Sequence, residues 1–139
     1  MSDRFERRRL RVYVAGPISK GDVLRNIHRG IEWGARLFKD GLAPYIPHLD
    51  GYMTFAAANE AAGSEWKALL EWDLEWVAQS EAIFRLAGES KGADRQVELA
   101  LELGIPVFFE RTGSLDVSDD YASLIRYARA RGLDSRRTS

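Results

Sequence analysis

The chain reads as an α/β three-layer sandwich, with helices on both faces of a mainly parallel sheet of four to five strands. Two observations predict it. Short runs of β-branched and aromatic residues alternate with longer stretches of helical period, and turn-forming glycine or proline follows the runs. Such alternation joins parallel strands through right-handed helical crossovers. The 139 residues make one domain, with its core over 10–131 and ends at 1–9 and 132–139 that are expected to be flexible.

The elements follow in order. Residues 10–15 (LRVYVA) form a first strand that stops at Gly16-Pro17. Asp22 caps a helix running to about Asp40, with apolar or small residues at Val23, Ile27, Gly30, Ile31, Gly34 and Phe38, and Gly41 ends it. Residues 43–46 make a second strand closed by Pro47, and residues 51–63 a long alanine-rich connection. A helix from Ser64 to about Gln79, a strand over 82–86, a helix over 92–103 and a strand over 107–110 come next, the last set off by Gly104 and Pro106. A final helix spans 118–131. In such folds ligands bind beyond the carboxyl ends of the strands, which puts residues 16–21 and 87–93 at one mouth.

Composition removes several functions. Without cysteine there is no disulfide scaffold, thiol nucleophile or Cys-ligated zinc. Two histidines, His28 and His48, make no basis for a His-built metal site, and no metal or other cofactor is expected. A net charge of −1 lacks the basic excess that neutralises phosphates, so no nucleic-acid polymer is expected as partner. The charged start MSDRFERRRL is not a signal peptide, and no apolar run approaches a membrane span. A cytoplasmic protein without membrane contact is expected.

Some residues break the core pattern. At about 100° per residue, Trp66, Leu69, Leu70, Trp76 and Val77 share a face of the 64–79 helix, and Asp73 falls within roughly 10–20° of its centre. A carboxylate there must be paired, hydrogen-bonded or lining a cavity; it is either a cap for a neighbouring loop or a pocket group. On the 92–103 helix, Gln96 lies about 50° from the centre of the face formed by Ala93, Val97, Ala100 and Leu103, whereas Glu98 lies about 150° away. Gln96 is thus the polar group that reaches the mouth, or an amide at the core boundary. Ser90, Lys91, Gly92 and Ala93 open that helix, where free N–H groups and the helix dipole suit an anion, although a serine at a helix start is also a common cap. His48, after strand two, either touches substrate or is a satisfied loop histidine. Three of the four tryptophans (Trp33, Trp66, Trp72, Trp76) lie on the Asp73 helix, and a dimer interface explains them as well as base stacking does.

Taken together, VYVAGPIS, Asn26, YIPHL, the helix from Trp66 to Asp73 and AGESKGADRQVELALELGIPVFF resemble the nucleoside 2-deoxyribosyltransferase superfamily. The likeness is to its small phage and bacterial branch, related to nucleoside 5′-monophosphate N-glycosidases, and it covers roughly 11–110. It implies a flavodoxin-like domain that assembles as a homodimer or higher homo-oligomer and acts on a small nucleoside or nucleotide. It implies that Tyr13, Gly16, Pro17 and Ile18 border the sugar, with Asn26 and His48 among the binding residues. Asp73 would match the family's aspartate, and Ser90, with Gly92 and Ala93, the phosphate-contacting turn. In that family a glutamate six residues after the serine attacks the anomeric carbon, and the resulting glycosyl ester is resolved by water or a second base. Here that position is Gln96. A neutral amide is a poor nucleophile, so the covalent route should fail or be crippled. Three accounts are open: a glutamate-to-glutamine change made to trap substrate, a relative that binds nucleotide without cleaving it, or Glu98 acting instead.

Overall fold

The computed structural model describes residues 9–50, 62–111 and 119–131, apart from the side chains of residues 62–66 and 119. The expected connection over 51–61, the side chain of Trp66, Ser118 and both expected flexible tails beyond these limits lie outside the described residues.

Among the described residues four strands, β1 (Arg11–Ala15), β2 (Ala43–Tyr45), β3 (Ala82–Arg85) and β4 (Val107–Phe109), form one sheet in the order β2-β1-β3-β4. All three pairings are parallel; Tyr13 sits between Tyr45 and Ile83, and Phe84 beside Phe108. Among the described residues three helices connect them, α1 (Val23–Lys39), α2 (Ala62–Ala78) and α3 (Lys91–Glu102), and a fourth, α4 (Asp119–Ala130), follows β4. This is the flavodoxin-like doubly wound arrangement, with its topological switch point between β1 and β3.

Period two along the strands separates two cores. Val12 and Val14 of β1, with Phe84 of β3, face Trp33 and Leu37 of α1 and Tyr121 and Leu124 of α4. Tyr13, Ala15 and Ile83 face the other way, onto Val77 of α2 and Ala93 and Ala100 of α3. With helices on both sides, residues 12–15 are all buried, as a central parallel strand requires.

Two faces differ from the sequence expectation. On α1 the buried stripe is Gly30, Trp33, Gly34 and Leu37, while Val23, Ile31 and Phe38 are exposed. The apolar arc of the helix is wider than the contact, and the part with two glycines is covered because it seats closer. A Cβ on Gly34 would collide with the side chain of Ile46, and one on Gly30 with the His48 ring. On α2, Val77 is buried but Trp76 is 42% exposed. It lies over β2, the sheet's edge strand, and stacks on Tyr45 with ring centroids 5.5 Å apart. After β2 the chain turns through a single 3-10 turn at Pro47–Leu49, so the second strand is one residue shorter than expected. Among the described residues no helix is long and apolar enough to cross a membrane.

Candidate functional site

Strands β1 and β3 end side by side, and the chain leaves them in opposite directions. Gly16 follows β1; a Cβ there would lie 2.8 Å from Leu86 Cβ, so only glycine lets the two loops separate at this point. The first loop is then held from within. Asn26 Nδ2 donates to the carbonyls of Ile18 (3.1 Å) and Lys20 (2.7 Å), and Asp22 caps α1 by accepting from the Arg25 amide. The second loop is tied down by Glu110, which accepts from the Ala87 amide at 2.8 Å. Arg85 adds a bond to the Gly88 carbonyl at 3.0 Å.

Between these loops and α2 lies a cavity of about 650 Å³, within the range of small-molecule sites in general. Its wall includes Gly16, Ile18 and Lys20 from the first loop, Ser90, Gly92, Ala93 and Gln96 from the α3 end, and Asp73 from α2. Asp73 and Gln96, predicted from helical rotation on separate helices, therefore meet in one space. Both are buried, at 6% and 5% exposure. Ser90 serves as N-cap, its hydroxyl accepting from the Ala93 amide at 3.1 Å. It lines the cavity as well.

Other expected site residues stand behind the wall rather than on it. Tyr13 is fully buried beneath the cavity, its hydroxyl without a partner. Pro17 packs where a Cβ on Gly88 would sit, and Asn26 braces the loop. His48 is 1% exposed and wedged against Gly30. Neither ring nitrogen has a hydrogen bond of normal geometry. Burial pushes its pKa down to about 4, the nearby Arg29 charge adding to this and the Pro17 backbone opposing it. Glu98 is exposed and paired with Arg95 at 3.5 Å; it does not line the cavity.

Asp50 is the residue that sequence reasoning missed. It ends the 3-10 turn after β2 and lines the cavity with Asp73. Burial, then the hydrogen bond to Asp50 and the charge of Asp50, pushes Asp73 up to about 9. Asp50 is raised by burial too, against hydrogen bonds from Asp73 and Tyr45; the Tyr45 hydroxyl donates to its Oδ1 at 3.3 Å. Two carboxyls this close do not both ionise, so near neutral pH they hold one proton between them. The available signal was an aspartate just past a strand's carboxyl end in YIPHLD. The rim is of the opposite sign: Lys20 and Lys91 stand there, Lys20 in an exposed pair with Glu89 at 3.5 Å. Such a pair contributes little and yields readily to an entering anion. Among the described residues no three His, Asp or Glu side chains cluster as a metal site would need.

Compared with known proteins, the chain matches no family model, and a search of curated proteins finds no match.

Proposed function

We propose that the cavity binds a nucleoside or nucleoside 5′-monophosphate and is built for chemistry at the N-glycosidic bond, with position 96 as the seat of the nucleophile. The reading is carried by one observation: Asp73 and Gln96 converge on a single cavity whose rim is cationic and whose floor is acidic. An anionic 5′ end suits Lys20, Lys91, Ser90 and the free amides that open α3. A sugar with hydroxyl donors suits the carboxyls beneath. Protonated Asp73 is an acid that can donate to a leaving base or to a sugar oxygen.

Gln96 has no charge with which to attack C1′, so this chain holds the ligand without forming a glycosyl ester. Restoring the carboxylate is the decisive experiment. Gln96→Glu should release free base from some members of a panel of nucleosides and monophosphates, while the unsubstituted chain binds the same compounds and releases little or none. Absence of both binding and release in the two forms would refute the proposal. Gln96 also favours a second reading, a silent nucleotide-binding or sensing module. That reading expects saturable binding by both forms and no gain of turnover in Gln96→Glu.

We further propose a cytoplasmic homodimer. Leu24, Ile31 and Phe38 repeat every seventh residue along α1 and are 80%, 39% and 61% exposed, an apolar stripe of the kind one helix offers another. Sedimentation equilibrium should give twice the 15.7 kDa chain mass; a monomer at all concentrations would remove this part.

A further inference from the structure

Asp50 and Asp73 both line the cavity, but different things hold them. Asp50 ends the turn after β2 and Asp73 lies on α2, and their side chains hydrogen-bond to each other. Two carboxylates have no proton to offer, so that bond exists only while one partner is an acid. Among the described residues neither carboxyl forms an ion pair. One oxygen of each, Asp50 Oδ2 and Asp73 Oδ1, is sealed from solvent, where a second negative charge would go unsolvated.

Tyr45 decides which of the two is the acid. Its ring is stacked between Tyr13 and Trp76, with centroids 5.6 and 5.5 Å away, and Trp72 meets it edge-on at 6.4 Å. The packed ring aims its hydroxyl, which donates to Asp50 Oδ1 at 3.3 Å. A hydrogen bond made to the charged form favours that form. Among the described residues nothing does the same for Asp73, whose hydrogen bond is with Asp50 alone. The other titratable groups around the pair are the buried Tyr13 hydroxyl from β1 and, at the rim, Lys20, Glu89 and Lys91. We propose that Asp50 is a positioning residue of this site: it keeps its charge, accepts from Asp73, and so holds Asp73 as the acid that cleavage of an N-glycosidic bond calls for. This rests on the reading of the site given above. In Gln96→Glu the new carboxylate takes C1′, the electron pair of the C1′–N bond leaves with the base, and the Asp73 proton passes to that base. The carboxylate left beside charged Asp50 recovers a proton from water.

Infrared spectroscopy of the full, ligand-free chain carrying isotope-labelled aspartate tests the pair without a ligand. Ordinary aspartates are ionised at pH 7, so a protonated-carboxyl band there reports the pair. The band is expected in the unsubstituted chain, lost as pH rises through about 9, and absent from Asp73→Asn. Asp50→Asn keeps the size of the side chain and the acceptor for Tyr45 while removing the charge. In that variant the band should vanish at a pH lower by about one unit or more. A residue that merely shaped the turn would leave that pH where it is. No band at pH 7 in the unsubstituted chain, a band that survives in Asp73→Asn, or an unmoved or raised titration in Asp50→Asn overturns the proposal. The first two spectra can overturn it even if Asp50→Asn does not fold. In the Gln96→Glu background, Asp50→Asn should move the alkaline fall in kcat for base release down by the same amount, with KM within about twofold; a fall that stays in place also overturns it. Should Gln96→Glu release no base from any compound, the cleavage reading fails, and the spectra still decide whether Asp50 holds Asp73 as an acid.

Discussion

His48 fills the space that Gly30 leaves by having no side chain, and it supports the first loop from below. Alanine at position 30 would gain helix propensity, about 1 kcal/mol, yet its methyl would fall on the His48 ring. The ring is 1% exposed and has no free space to enter, so overpacking wins. Gly30→Ala is expected to lose about 1–3 kcal/mol, read as a lower urea midpoint at unchanged slope; an equal or higher midpoint would contradict the wedge. His48 also marks where residue-level reading stops. Substrate contact and a satisfied loop histidine are the sequence's alternatives; the ring sits sealed behind the cavity wall, its nitrogens without a hydrogen bond of normal geometry and the Pro17 backbone beside it. Asp73 and Gln96 were legible because a helix fixes direction by counting. Asp50 was not: its direction depends on the 3-10 turn at Pro47–Leu49, which no period announces.

At the scale of elements, Glu110 joins three of them. Its carboxylate, 2% exposed at the side chain, accepts from Trp33 Nε1 of α1 at 2.8 Å, from the Ala87 amide after β3 at 2.8 Å, and from Arg29 of α1. Arg29 also donates to the Ala87 carbonyl at 3.3 Å. The loop that carries Ser90 is thereby anchored to the helix that carries Asn26, and two walls of the cavity keep their spacing. Removing Glu110 strands a part-buried guanidinium and a buried indole N–H. Glu110→Ala should therefore cost about 3 kcal/mol, the lower end for breaking a buried pair, and weaken the proposed nucleotide binding in whatever protein remains folded. Stability within about 0.5 kcal/mol of the parent, the range of ordinary surface changes, would sink this account. Caps and stops were readable locally, since Asp22 and Ser90 both bond their helices as capping residues do, and Gly41 and Gly104 take positive φ at the ends. The Glu110 anchor was not readable. In sequence it only ends a strand, and its meaning needs the adjacency of β3 and β4. The exposure of Ile31 and Phe38 beside the buried Gly30 and Gly34 of α1 has the same origin: the apolar arc is wider than the contact, and the partner surface decides which part of it is covered.

At the scale of the whole molecule, two buried groups with opposite shifts shape the dependence of stability on pH. His48 has a folded pKa of about 4 against 6.5 unfolded. Between those values the unfolded chain holds the extra proton, so stability is full above 6.5 and falls as pH drops toward 4. Asp73 behaves oppositely, with a folded value of about 9 against 3.8 unfolded. The folded state holds the extra proton, and stability present at low pH is lost as pH rises through 9. From about 4 to 6.5 the slopes of His48 and Asp73 oppose each other, with the upward shift of Asp50 on the side of Asp73. Above 6.5 His48 is neutral in both states, and the slope set by Asp73 remains. A loss on the order of 3 kcal/mol between pH 6.5 and 9 is expected. Asp73→Asn removes that loss and uncovers the His48 slope, so the variant should gain stability from pH 4 to 6.5 and stay level from there to 9. Urea midpoints at half-unit pH steps decide the matter. A parent profile level from 6.5 to 9, or an Asp73→Asn profile that still falls there, would mean that the acid at the cavity floor is ionised and solvated. On the proposed reading a ligand accounts for a group held at such expense to the fold, and a solvated group would need no such account.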